Sequence, residues 1–259
     1  MPTENIHKGH RGRLRERFLR DGLSSLSDRE ALELLLTFAI PRRDVDEEAA
    51  ALLSRFGSLS GVLDADPAAL TAVPGVGENA AVFLTLLPAL FGRYTRSSLG
   101  SKPRLSDPAS AARYAATLFG GAHEERAFLI CLDLSGHVLG TPMLSRGTLD
   151  EVALYPRKVV EQALALHAHA VLLAHNHPGG TPHPSRADLE MTRRVADALS
   201  AVGIRILDHL IVSRGACFSM AKNGIIPDGP EGEDGKLSET AVPASAPSVP
   251  LGWTERPHA

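Results

Sequence analysis

The sequence predicts an α/β domain preceded by an all-helical one. Residues 1 to about 98 carry helix caps and helical periodicity with no strand pattern. Beyond about residue 108, short apolar runs alternate with helical stretches, the signature of an α/β unit. Between them lies "SSLGSKPRLSDP" (97–108), polar and broken by glycine and proline. The expected division is a helical domain at 1–98, a linker at 99–107, an α/β domain at 108–226 and a tail at 227–259.

In the helical half, "SDREALELLLTFAI" starts with Ser27 as an N-cap and Glu30 three residues later, a capping box. "DVDEEAAALLSRFG" has acids in its first turn and Gly57 at its end, as the helix dipole and a left-handed cap require. "DPAALTAV" and "ENAAVFLTLLPALFGRY" are helical and separated by "PGVG". In the second half, "ASAARYAATLF" reads as a helix. "RAFLICLDL" and "HVLGTPML" read as a hairpin, and "PRKVVEQALALHA" as a helix with Pro156 in its first turn. "AVLLAH" is a buried strand, "RADLEMTRRVADALSAVG" a helix, and "IRILDHLIV" and "ACFSMA" are strands. The tail from Pro227 is rich in proline and poor in large apolar residues, so disorder is expected there.

Composition narrows the function classes. The net charge of −3 gives no global attraction to nucleic acid, so any basic face must be local. Cys131 and Cys217 are the only cysteines and lie in apolar surroundings, which argues against a disulfide framework and for a reducing cytoplasm. The start lacks a secretory h-region, and the apolar runs are too short for a membrane span.

The richest stretch is "AVLLAHNHPGGTPHPSRADLEMT" (170–192). His175 and His177 share parity, so at a strand end both imidazoles project to one face. Gly179, Gly180 and three prolines shape a turn that returns a helix start, capped by Ser185 and carrying Asp188, toward that end. Two nitrogens and one carboxylate suit Zn²⁺ and leave a fourth position open, as in catalytic rather than structural sites. The plainer readings are surface histidines, a dipole-favoured aspartate and a simple cap. His167, His169 and His183 read as surface residues, and His209 as a structural histidine within reach of the site.

The spacing H-x-H-x7-S-x2-D resembles the signature of JAMM (JAB/MPN) metalloenzymes. The resemblance implies a mixed sheet with flanking helices, metal ligands His175, His177 and Asp188, and cleavage of isopeptide or related amide bonds. It also implies an upstream glutamate as general base and a role for the Ser185 hydroxyl in stabilising an oxyanion. Glu124, Glu125, Glu151 and Glu161 are the candidates for the base. Glu125 is chosen because it leads into "AFLICLD" as the family glutamate leads into its first core strand.

In the first half, "LTAVPGVGENAAVFL" resembles the hairpin of helix-hairpin-helix DNA-binding domains, implying that Gly75, Val76 and Gly77 present backbone N–H groups to a phosphate. Residues 1–20 add six Lys/Arg against two acids. The bland alternatives are an ordinary interhelical turn and a solvated basic terminus.

Together the halves resemble the RadC family over about residues 7–226, with "HNHPGG…PS..D" and "LDHLI"; Gly179 stands where that family usually has serine. The resemblance implies a DNA-repair-associated protein with a zinc hydrolase site, an unidentified peptide or protein substrate and nonspecific nucleic-acid binding. Two alternatives stay open: a repair or recombination accessory whose metal domain is a scaffold, and a metal-dependent nuclease, which would ordinarily use more carboxylates.

Overall fold

A computed structural model describes residues 4–147, 155–213 and 216–226. The expected tail at 227–259 and the candidate Glu151 lie outside the described residues. The chain divides into two compact units, Met1–Phe91 and Gly92–Ala259. Among the described residues, no helix is long and apolar enough to cross a membrane.

The first unit is helical. It comprises α1 (Glu4–Asp21), a short 3-10 turn (Leu23–Ser25), α2 (Asp28–Ala39), α3 (Asp46–Phe56), α4 (Leu59–Leu63), α5 (Pro67–Thr71) and the start of α6 (Glu78–Ser98). Ser27 and Glu30 close the expected capping box, and Gly57 caps α3 in the left-handed region at φ 82°. Leu32, Leu36, Leu52, Leu70 and Leu84 are fully buried in its core. Each such side chain contributes roughly 1.5–3 kcal/mol by leaving water.

The second unit is a three-layer α/β/α domain around a mixed sheet. Its elements are α7 (Pro108–Ala116), β1 (Arg126–Leu132), β2 (Val138–Gly140), β3 (Met143–Arg146), α8 (Pro156–Ala165), β4 (Ala170–Asn176), α9 (Arg186–Ser200), β5 (Arg205–Ser213) and β6 (Ala216–Ser219). The sheet order is β2-β1-β4-β5-β6, with β3 also paired to β1. β1 and β4 are antiparallel, β4 and β5 parallel, and β5 and β6 antiparallel.

Strand parity decides the two faces. Leu129, Cys131, Val171 and Leu173 pack against Val159 and Ala163 of α8 and Val195 and Leu199 of α9. Ile130, Leu132, Leu172, Ala174 and Leu210 pack against Ala111, Tyr114 and Ala115 of α7. His175 continues the parity of Val171 and Leu173, so the end of β4 turns it toward α9.

Two expectations change in detail. "HVLGTPML" forms two short strands, β2 and β3, because Pro142 interrupts it; Pro142 has no N–H, though its carbonyl accepts from Leu129 N at 3.0 Å. The polar stretch after α6 is built into the second unit: Val138 N donates to Pro103 O at 2.9 Å and Leu105 N to Gly136 O at 2.9 Å.

Candidate metal centre

β4 and β5 run parallel, and the loop after β4 leads into α9 at their carboxyl ends, the usual place for a ligand in α/β sheets. That loop is fixed from β5. His177 N donates to Val212 O at 2.9 Å, and the Ser213 hydroxyl lies 2.9 Å from His177 O and 2.6 Å from Gly180 O. A Cβ on Gly179 would meet nothing within 4 Å, so a serine there would fit without disturbing the histidines.

Ser185 is the N-cap of α9 in a closed capping box with Asp188. Its hydroxyl accepts from Asp188 N at 3.1 Å and donates to Asp188 Oδ2 at 2.6 Å; its backbone N–H donates to the same oxygen at 2.8 Å. Two donors thus hold the carboxylate against the helix start. In this arrangement the Ser185 proton serves Asp188, and acting on an oxyanion would require it to leave that bond.

The candidate ligand atoms converge. His175 Nε2 is 2.9 Å from His177 Nε2 and 3.2 Å from Asp188 Oδ1, and His177 Nε2 is 3.7 Å from Asp188 Oδ2. Among the described residues, these three form a group able to hold a metal, with ligand atoms all within 4.8 Å of one another. Donors around a tetrahedral ion with bonds of about 2.0–2.1 Å stand roughly 3.3 Å apart, so the set fits a small divalent ion with little movement. His177 Nδ1 meets Thr181 O at 2.8 Å; a carbonyl only accepts, so that nitrogen carries a proton and Nε2 is the atom turned inward, where a cation would replace the proton that it shares with His175 Nε2 and Asp188 in the metal-free protein.

Burial and charge tune these groups. Burial pushes His175 down to about 4, with Asp188 opposing. Asp188 raises His177 above its ordinary value, against burial, and the Glu125 charge adds to this. Burial opposes ionisation of Asp188, but the His177 and His175 rings and the Ser185 donors outweigh it and hold the carboxyl well below its usual range. Burial drives His209 well below its ordinary value. The result is a neutral, accepting His175 beside an ionised Asp188, the protonation states a cation selects.

The glutamates separate. Glu124 is ion-paired with Arg126 and Arg146, which lower its pKa. Glu161 pairs with Arg157 on the exposed face of α8. Glu125 precedes β1 and is close enough for its charge to act on His177. Its placement depends on Asn176, which sequence reasoning missed. Asn176 Nδ2 donates to Glu124 O at 3.1 Å, and Arg126 N donates to Asn176 Oδ1 at 2.8 Å. One buried amide therefore grips the backbone on both sides of Glu125. An asparagine ending a fully buried strand was the available signal, since such a group must find partners.

His167, His169 and His183 are exposed, as expected. His209 is buried and lies against the site, its Nε2 2.8 Å from His175 Nδ1.

The hairpin in the first unit differs from expectation. Gly75 has φ 84°, and Gly75 O accepts from Arg43 Nη2 at 2.7 Å. Val76 N donates to Val73 O at 3.1 Å and its side chain is buried, so its N–H is spent inside the turn and does not face a phosphate. The Glu48 carboxylate occupies the space beside the Gly75 Cα, paired with Arg43, and Glu78 opens α6; both acids weaken the turn's pull on an anion.

Residues 105–225 match the family described as RadC-like JAB domain, and residues 8–82 match UPF0758 N-terminal. The chain is 40% identical over 213 residues to a UPF0758 protein of Rhodobacter capsulatus, covering 82% of this chain and 100% of that one. It is 33% identical over 231 residues to UPF0758 protein FN0909 of Fusobacterium nucleatum, covering 86% and 100%. UPF0758 protein SPO0054 of Ruegeria pomeroyi is 37% identical over 219 residues, covering 85% and 98%. A strand-end pair of histidines facing a capped aspartate on a JAB-type mixed sheet, matched along nearly the whole length of such relatives, places this chain in the UPF0758 family of RadC-like proteins.

Proposed function

We propose that the second unit is a zinc-dependent hydrolase of the JAMM type acting on a peptide or isopeptide-type amide bond. The observation that carries this reading is the convergence of His175 Nε2, His177 Nε2 and an Asp188 carboxylate oxygen. Two imidazoles and one carboxylate match the ligand set of catalytic zinc sites. Zinc, when bound, supplies Lewis acidity that brings the pKa of water toward about 7 and polarises a carbonyl.

The protein's own groups do the rest. Glu125 takes the proton of the attacking water and returns it to the leaving amine, the task for which a carboxylate beside the ligands is suited. Asn176 holds the Glu125 backbone in place, and Ser185 orients the Asp188 carboxylate. The ion pairs of Glu124 make it a poorer base. A nuclease reading gains nothing from this group, which offers a single carboxylate among its ligands.

For the first unit the proposal is weak, sequence-nonspecific binding of nucleic acid through a helix-hairpin-helix-like turn and α1. The exposed Arg13 and Arg15 favour it, while Arg17 and Arg20 are already paired with Glu30 and Asp21. The deciding experiment is metal analysis of the purified protein, then a screen of amide-bond substrates with and without chelator. Chelator-sensitive hydrolysis supports the enzyme; a bound ion with no hydrolysis by a protein intact at Glu125 favours the scaffold.

A further inference from the structure

Behind the candidate ligands runs a buried chain of polar groups that the proposed reaction leaves unused. Thr192 on α9 places its hydroxyl 2.6 Å from Asp188 O and 2.6 Å from His209 Nδ1. His209 Nε2 is in turn 2.8 Å from His175 Nδ1. Thr192, His209 and His175 are 2%, 1% and 1% exposed, so the protein itself must satisfy each atom.

Hydrogen-bond direction fixes every proton in this chain. Two oxygens 2.6 Å apart repel unless a hydrogen lies between them, and the Asp188 carbonyl has none to give, so the Thr192 proton points to it. The hydroxyl then shows His209 only lone pairs, and the 2.6 Å contact requires His209 Nδ1 to carry the hydrogen. The Met220 sulfur, 3.6 Å from the hydroxyl, is an alternative acceptor that leaves this step unchanged. A neutral imidazole has one N–H, and full burial keeps His209 neutral, so its Nε2 accepts. His175 Nδ1 must therefore donate, which leaves the lone pair on His175 Nε2, the atom facing His177 and Asp188.

We propose that Thr192 and His209 are positioning residues that lock His175 in the tautomer whose Nε2 can ligate a cation. The inference rests on the metal reading above for its purpose, but the proton order stands on the protein alone. The same hydroxyl also bonds the backbone of Asp188, so one threonine ties together two of the three candidate ligands. Groups of this kind typically change metal affinity by about 10–100-fold when removed.

The test uses the full chain and two near-isosteric variants. Ring ¹⁵N shifts of the metal-free wild type should show His175 and His209 both as Nδ1–H tautomers. Thr192→Val removes the acceptor, so both rings should switch toward Nε2–H, and the Zn²⁺ dissociation constant from chelator competition should rise about 10–100-fold. Thr192→Ser keeps the hydroxyl and should restore wild-type shifts and affinity, which a purely packing role for the methyl would not. An Nε2–H tautomer at His175 in the wild type overturns the proposal whether or not zinc binds. Unchanged zinc affinity in a folded Thr192→Val overturns it as well. If instead a His175→Ala/His177→Ala/Asp188→Ala variant keeps stoichiometric zinc, the metal reading fails while the tautomer assignment survives.

Discussion

Two turns in this molecule deliver the chain into a helix, and both pair glycine with proline. The one before α9 is a candidate ion site, and the one before α6 is filled on its Gly75 side by its own neighbour Glu48. At α9 the turn brings Asp188 beneath His175 at the end of β4 and His177 just beyond it, and the polar atoms point at one another. At α6 the turn turns inward: Val76 enters the core, Arg43 takes the Gly75 carbonyl and Glu48 fills the space beside Gly75. A helix start becomes a charged-ligand site through the side chains that the neighbouring elements aim at it, and the turn sequence by itself does not specify them.

The comparison breaks most decisively at Asp188. Wild-type protein should carry about one zinc per chain, and Asp188→Asn, which trades an anionic ligand for a neutral one, should lose it under the same chelator competition. Stoichiometric zinc in Asp188→Asn would remove the difference between the two turns.

Next in size is the separation of the two adjacent glutamates. Glu125→Gln should keep zinc and melting temperature while lowering turnover of a chelator-sensitive substrate by about 10²–10⁴-fold. Glu124→Gln should keep activity and lose only surface ion pairs, with little change in melting temperature. Side-by-side turnover and calorimetry of the two variants check this, and an active Glu125→Gln would move the base elsewhere.

In the hairpin the two glycines should part company. Gly75→Val meets both a positive φ and the Glu48 side chain, so it should destabilise the first unit by roughly 1–3 kcal/mol and cannot report on phosphate contact alone. A Cβ on Gly77 meets nothing within 4 Å, which makes Gly77→Val the cleaner probe of duplex binding. Denaturation curves and low-salt DNA titrations on both variants of the full chain test this. Unaltered stability in Gly75→Val would show that the turn is open after all.

The smallest effect is a pH dependence at the start of α2. The Arg17 guanidinium, with the Ser27 backbone and hydroxyl, holds the Glu30 carboxyl down to about 2 from an ordinary 4.5. Its ionised form is the favoured one in the folded chain, so the stability it adds is complete above 4.5 and is lost as pH falls from there through about 2. The stability difference between wild type and Glu30→Gln should therefore shrink across that window in urea titrations.

Local features were legible in the sequence, and long-range ones were not. The capping box at Ser27, the N-cap at Ser185, the Gly57 cap and Pro156 in the first turn of α8 each follow from a few adjacent residues, and each is found. His175, His177 and Asp188 were legible because strand parity and a capped helix start are also local. Asn176 and Thr192 escaped because their partners come from β1 and β5, and only the sheet register brings those into reach. The packing of the hairpin was hidden for a similar reason: Glu48, whose side chain lies against Gly75, is on α3, far from "PGVG" in the chain.

The spacing of these partners along the chain also orders events in time. The candidate ligands sit in one strand–loop–helix stretch, whereas Asn176 reaches Arg126 across 50 residues and His175 reaches His209 across 34. Long closures form late, because their entropy must be met before their contacts repay it. By that ordering the local strand–loop–helix stretch carrying the candidate ligands forms before β1 pairs with β4 and brings in the Glu125 segment. On the proposed reading, a half-folded molecule would have its ligands in place without a base beside them, and would be unable to hydrolyse its neighbours before its own sheet had closed.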